Sequence, residues 1–442
     1  LEAYSKSGGG DKIMAKRGKI FKYKPTNSNS IKVVSNLTKI NDKLTVITEN
    51  SPYFNSFALG IGIKVGSRDD FIGKEGIAHL LEHCVFRRTK KHISSEINEL
   101  FEKNGAYANA FTTKEYTLFY VRGLKHNFLN IWDLLNEIVF QPQFERSDLQ
   151  KEKSIIREEI RSYNEDPEEV TFDYAEKLLF GSSSLSHPIL GTITSLNKIQ
   201  IDDLVQFYDK YYSGSEITIS VVWNFEHSYI LELVSRNQQL IGELKNDKNQ
   251  REQISIINQG FKKTLSSKFY QTHLIFSILL PKFDKKERLL LSISSLLIGE
   301  SASSRLYKTL REKYGLVYNV FSSFTTYSDC STIHIYSSMN PRKQNRSYEI
   351  LLKELTEIHK NGFTPNELNL AKEQLKASTI ISLENLSERM QSLIKSELVY
   401  GTYDNLNETI SLIENIQLNE LNEFVFNYLN PDFWSKIIYV PK

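Results

Sequence analysis

The feature that most constrains the fold is an internal repeat. Shifted by 210 residues, Leu100, Glu102, Lys103, Gly105, Asn109 and Phe111 coincide with Leu310, Glu312, Lys313, Gly315, Asn319 and Phe321. These are six identities in twelve positions, running from a helix end through a turn into a strand. Self-similarity at so long a period means a duplicated domain rather than a solenoid. A chain of 442 residues is also too long for one core and has room for two.

The first copy holds a pattern that the second lacks. Gly76 to Phe86 contains H-x-x-E-H, as His79, Glu82 and His83. No Gly or Pro interrupts Ile77 to Thr89, and Leu80, Leu81, Val85 and Phe86 supply apolar positions, so a helix is expected. On a helix His79 and His83, four apart, share a face and can bind one metal ion. Glu82 lies at the edge of that face, where a carboxylate can accept a proton from water. The order reverses the commoner H-E-x-x-H zinc motif. A chance pairing of two surface histidines is the bland alternative, and a third ligand would argue against it. In the expected helix from Ser147 to Tyr163, Glu152 and Glu159 are two turns apart on one face. Either is a candidate ligand or a solvated carboxylate. Under the 210-residue shift His79, Glu82 and His83 become Leu289, Ser292 and Ile293. Aligning Phe144 and Leu149 with Phe363 and Leu368 places Glu159 on Ser378. Residues lost together read as one functional unit, which favours Glu159.

The remaining elements follow the repeat. In the first half strands are expected at 43–48, 57–65, 107–112, 116–122 and 216–223. Helices are expected at 94–103, 128–140, 201–212 and 229–240, with another ending at Phe180. Ile155, Ile156 and Ile160 mark the expected buried side of the 147–163 helix. In the second half strands are expected at 272–280, 317–324, 332–338 and 435–440. Helices are expected at 288–298, 304–313, 348–360 and 418–428, and one runs unbroken from Pro365 to about Lys395. The expected organisation is an N-terminal extension over 1–30, a zinc-bearing domain over 31–241, a polar linker over 242–256 and a homologous domain over 257–442.

Composition excludes little. A net charge of +2 gives no reason to expect a nucleic-acid partner. No apolar run approaches the roughly 20 residues that span a bilayer. Two cysteines, Cys84 and Cys330, cannot build a disulfide framework and fit a reducing compartment. Cys84 points about 100° away from His83 around the helix and reads as packing. The Gly-containing, basic stretch up to Lys24 lacks the apolar region of a secretory signal. The expected location is cytoplasmic, with an organellar matrix as the alternative.

These residues resemble the pitrilysin, insulysin and mitochondrial-processing-peptidase superfamily of zinc peptidases, and most closely its single-unit branch. Gly76 to Thr89 is similar to the family's G-x-A-H-x-x-E-H-x-x-F-x-x-T. Glu152 and Glu159 match its glutamate pair, and the resemblance makes the later one the third zinc ligand. Asn109, Ala110, Phe111 and Thr112 match its substrate-pairing strand. Arg311 and Tyr318 match the Arg and Tyr of its second domain, which reach substrate and the tetrahedral intermediate. His187, Pro188 and Gly191 resemble an H-P-x-G loop, and Arg87-Arg88 departs from a usual Lys-Gly away from the expected chemistry. Elements and resemblance together give the expected fold class, α+β: two homologous domains, each a mostly antiparallel sheet flanked by helices, related by internal duplication.

The resemblance implies a zinc endopeptidase with one Zn2+ per chain on His79, His83 and Glu159. Glu82 would be the general base, Glu152 would orient a ligand, and Arg311 and Tyr318 would act on substrate. Asn109, Ala110 and Phe111 would pair with an extended leader, presequence or degradation fragment. It also implies a chamber formed by a homodimer, or by a heterodimer with an inactive sister. One rival is a non-catalytic scaffold, in which broken zinc ligands are expected, and a second is a peptide-binding subunit of a heteromeric peptidase-like complex.

Overall fold

The computed structural model describes residues 34–50, 54–237, 251–256, 260–382, 384–403 and 405–442. The extension over 1–30 and residues 242–250 of the expected linker lie outside them. Two sheets organise the rest.

The first sheet contains β1 (Val34–Lys39), β2 (Leu44–Asn50), β3 (Ser56–Ile63), β4 (Tyr107–Thr112), β5 (Thr117–Leu124) and β6 (Ile217–Trp223). Its order is β1-β2-β6-β3-β5-β4. Only β2 and β6 run parallel. The second contains β7 (Lys262–Ser267), β8 (Thr272–Pro281), β9 (Val317–Thr326), β10 (Cys330–Met339) and β11 (Ser435–Pro441), in the order β7-β11-β8-β10-β9. Here only β7 and β11 are parallel. Both halves are therefore α+β with a mostly antiparallel mixed sheet. Apart from β1 their strand orders coincide. β1 and β7 escaped the sequence reading because VSNLTK and KKTLSS are polar edge strands without clean alternation.

Each sheet buries one face under helices of its own half. In the first, Leu59, Ile61 and Ile63 of β3 meet Ile77, Leu80 and Leu81. The other face is covered from the opposite half. Leu386, Met390, Leu393 and Ile394 lie on Ala58, Leu118 and Val222. Reciprocally, Ala175 of the helix Pro167–Phe180 packs on Ile275 and Ile437 of the second sheet. Period-2 glycines make the first contact close. A Cβ on Gly60 would lie 2.2 Å from the Met390 sulfur, and one on Gly62 2.3 Å from Ile394 Cγ2. Small residues at 58, 60 and 62 thus mark the face on which a distant helix rests.

That helix corrects one expectation. The run from Pro365 to Lys395 is broken into Pro365–Ser382 and Leu386–Lys395. Asn385 accepts from the backbone N–H groups of Ser387 and Glu388 and starts the second helix as an N-cap. The break redirects the chain onto the first sheet. Ile155 is a second correction: it is 47 % exposed, while Leu149, Ile156 and Ile160 carry the buried side of Arg146–Tyr163.

Buried ions also join the halves. Arg68 donates to Glu115 at 2.8 Å and to Asp329 at 2.9 Å. Arg251, in the described part of the expected linker, donates to Asp69 at 3.0 Å and Glu115 at 3.2 Å. No helix among the described residues is long and apolar enough to cross a membrane.

Candidate metal centre

The motif helix spans Ile77–Val85. It begins at Gly76, whose φ of +93° favours glycine. Asp70 caps it, accepting from the Gly76 N–H at 2.6 Å and the Ala78 N–H at 3.0 Å. A Cβ on Gly76 would lie 2.6 Å from the Leu190 carbonyl oxygen, and one on Gly191 2.1 Å from that of Glu75. The two glycines let the 187–191 loop press on the helix start. This is a packing reason for Gly191, which the sequence tied to function only by resemblance.

Apolar residues anchor the helix and turn its polar edge to a cleft of about 1040 Å³. His79 and His83 stand side by side, ring centroids 4.7 Å apart. Glu159 faces both, with Oε1 3.9 Å from His79 Nε2 and Oε2 4.0 Å from His83 Nε2. These three residues offer ligand atoms within 4.8 Å of one another. Two imidazoles and one carboxylate suit zinc. Both histidines turn Nε2 toward the Glu159 carboxylate, so the set fits one ion.

The surroundings set the protonation states. Burial, helped by the charge of His83, holds the His79 imidazole down to about 3, which keeps it neutral. Its Nδ1 is buried without a hydrogen-bond partner. His83 differs. Burial would lower it, but its hydrogen bond to Glu152 and the charges of Glu82, Glu152 and Glu159 outweigh burial and raise it. Its Nδ1 lies 2.9 Å from Glu152 Oε2, an arrangement that leaves Nε2 to accept a metal. Burial raises the Glu82 carboxyl against the pull of Thr112 and His83. Thr112 donates to Glu82 Oε2 at 2.6 Å.

Glu152 is buried, yet hydrogen bonds from His83 and Arg87 bring it below the usual carboxylate range. Arg87 corrects the sequence reading. Its Nε donates to Glu152 Oε1, so the Arg-for-Lys departure touches the group that holds His83. The signal was local: Arg87 follows His83 by four residues. Cys84 is buried packing, its thiol raised by burial and the Glu152 charge.

Asn109, Ala110, Phe111 and Thr112 of β4 line the cleft, as do Glu169, Asp173 and Glu176. Asn109 is exposed, and its Oδ1 accepts from the Ala110 N–H at 2.9 Å. Sequence reasoning missed the carboxylates of the Pro167–Phe180 helix, as well as Thr325, Thr326, Lys395 and Val399 from the second half. Arg311 and Tyr318 are not brought to the cleft. Arg311 lies over the Tyr307 ring at 5.2 Å, and Tyr318 is 58 % exposed on β9.

Residues 45–193 match the insulinase family, peptidase family M16, and residues 198–375 match the peptidase M16 inactive domain. An uncharacterized zinc protease of Bacillus subtilis is 31% identical over 395 residues, covering 89% of this chain and 95% of the relative. One from Rickettsia felis is 30% identical, covering 87% and 93%. A crystal structure described as a peptidase M16 inactive domain from Pseudomonas fluorescens superposes with TM-score 0.85 at 18% identity, covering 92% of this chain and 98% of that one. A protease from Helicobacter pylori gives 0.84 at 20%, covering 92% and 100%.

Proposed function

The chain belongs to the M16 peptidase family, and from that premise we propose that it is a zinc-dependent endopeptidase acting on extended peptides. The observation that carries the reading is the convergence of His79, His83 and Glu159 beside a strand edge. His79, His83 and Glu159 would hold one zinc per chain, which when bound supplies a Lewis acid and lowers the pKa of water toward neutrality. The rest is the work of side chains. Thr112 occupies Glu82 Oε2, which leaves Oε1 to take a proton from the attacking water and pass it to the leaving amine. Glu152 fixes the tautomer and direction of His83 through Nδ1.

Among the described residues β4 pairs only with β5. Its second edge can receive a peptide backbone by strand addition, with Asn109, Ala110 and Phe111 alongside. Tyr318 would donate to the developing oxyanion and Arg311 would hold substrate, both serving a second chain because they stand away from their own cleft. This supports a dimer enclosing a chamber: a homodimer, or a heterodimer with an inactive sister. We also infer that 31–241 and 257–442 arose by duplication, with 1–30 an added extension and 242–256 a linker. The cytoplasm is the proposed location.

The deciding experiment measures bound metal and cleavage of quenched fluorescent peptides by wild type and Glu82→Gln. The reading requires stoichiometric zinc in both and a loss of roughly 10²–10⁴-fold in the variant. A wild type that retains no zinc would sink it. Light scattering tests the dimer; a monomer that cleaves at full rate refutes the shared site.

A further inference from the structure

A strand added to β4 would send alternate side chains to opposite faces of the sheet. On one face Ala108 and Ala110 pack with the motif helix. On the other, Phe111 and Tyr120 pack with the second-half helix Leu386–Lys395 and the residues after it. The cleft continues on that second face along Thr325, Thr326, Lys395 and Val399.

Two lysines line the cleft. Lys114 is neutralised by Glu176 at 2.5 Å, and it donates to the Leu185 and His187 carbonyls at 2.7 and 3.2 Å. Lys395 is different. Among the described residues its ammonium has no carboxylate or carbonyl partner, and it lies over the Tyr400 ring at 6.0 Å. Tyr400 is itself hydrogen-bonded to Thr326. A half-buried ammonium facing a cleft without a counter-ion is a receptor for negative charge. The first half presents the opposite sign there, as Glu169 and Asp173. A peptide on β4 would therefore meet carboxylates from one half and an unneutralised cation from the other.

We propose that Lys395 is a specificity-determining residue that receives a carboxylate of the bound peptide, on the face of the peptide strand opposite the motif helix. The carboxylate belongs to an Asp or Glu side chain, or to the peptide's C-terminus. The inference rests on the peptidase reading only in taking an extended peptide as the ligand. Because strand side chains alternate, acidic preference falls on every second position and not on its neighbours.

The test uses the full-length, zinc-loaded protein and quenched fluorescent peptides with Glu or Gln at each position around the cut, as C-terminal acids and amides. The wild type is expected to prefer Glu by roughly fivefold or more in kcat/KM at alternating positions. Preference for the free acid alone assigns the site to a C-terminus. The ratio should fall to near one in Lys395→Met, invert in Lys395→Glu and persist in Lys395→Arg. The same labelled peptides are titrated against Glu82→Gln by fluorescence anisotropy. Ratios that move with residue 395 in binding, with no cleavage by wild type, uphold the subsite and remove the hydrolytic reading. Peptides that are cut with equal ratios in wild type and Lys395→Met overturn the subsite alone. Peptides that are neither bound nor cut overturn both.

Discussion

The helix Ile77–Val85 and the helix Lys285–Ser295 hold corresponding places in their halves, and their polar content differs sharply. The first buries His79, at 7 % exposure, and Glu82, at 8 %. The second has Leu289, Ser292 and Ile293 at those positions, with Ile293 wholly buried in an apolar core. The neighbours change in step. Thr112 donates to Glu82, whereas Ser322, 210 residues later, donates to the Ser295 backbone carbonyl at 2.6 Å. Glu159 faces two histidines, whereas Ser378 donates to Leu375 of its own helix at 3.0 Å. The architecture stands without the polar cluster. In the first half the cluster is an added cost, visible in the unpartnered His79 Nδ1.

The strongest way to break the comparison is to make the first helix like the second. His79→Leu with His83→Ile should eliminate zinc retention and peptide cleavage. Its metal-free stability should stay within about 1 kcal/mol of metal-free wild type, or exceed it, because apolar packing replaces buried polar groups. Metal analysis and urea unfolding measure the two effects. A loss of several kcal/mol would mean that the helix depends on its polar face.

Glu152→Gln is a smaller change. It keeps the three ligands but removes the charge shared by His83 and Arg87. Zinc affinity should weaken by roughly 10–100-fold, read by competition with a chelating dye. An unchanged affinity would reduce Glu152 to a packing residue.

Acid should reveal the subtlest difference. Folded His79 is held to about 3, against an unfolded value near 6.5. The metal-free folded state therefore binds fewer protons between those values, and its stability falls as pH drops through 6.5 toward 3. The slope from this group is at most about 1.4 kcal/mol per pH unit. His83 is raised, so its contribution has the opposite sign: present below 6.5 and lost as pH rises through its folded value. Comparing urea midpoints of metal-free wild type and His79→Leu between pH 7.5 and 5 isolates the His79 slope. Equal slopes in the two proteins would show that His79 is not held neutral.

Much of this was legible in the chain because it is local. The spacings of His79, Glu82 and His83, and of Glu152 and Glu159, are helical periods, and a helix converts them into a shared face without help from elsewhere. The repeat set the number of sheets, and alternation placed most central strands. The hydroxyl on Glu82, the guanidinium on Glu152 and the placement of Ile155 carry no period of their own. They depend on which surface approaches.

By itself, then, the sequence determined the two-sheet α+β architecture and the residues that can share a helix face, since both follow from short-range geometry. Only the tertiary structure decided three things. It crossed the covering helices between halves, Pro167–Phe180 onto the second sheet and Leu386–Lys395 onto the first. It left Arg311 and Tyr318 outside their own cleft and carried Lys395 into it. The physical reason is long-range burial. A helix goes where apolar area and small residues such as Gly60 and Gly62 admit it, and its charged residues travel with it.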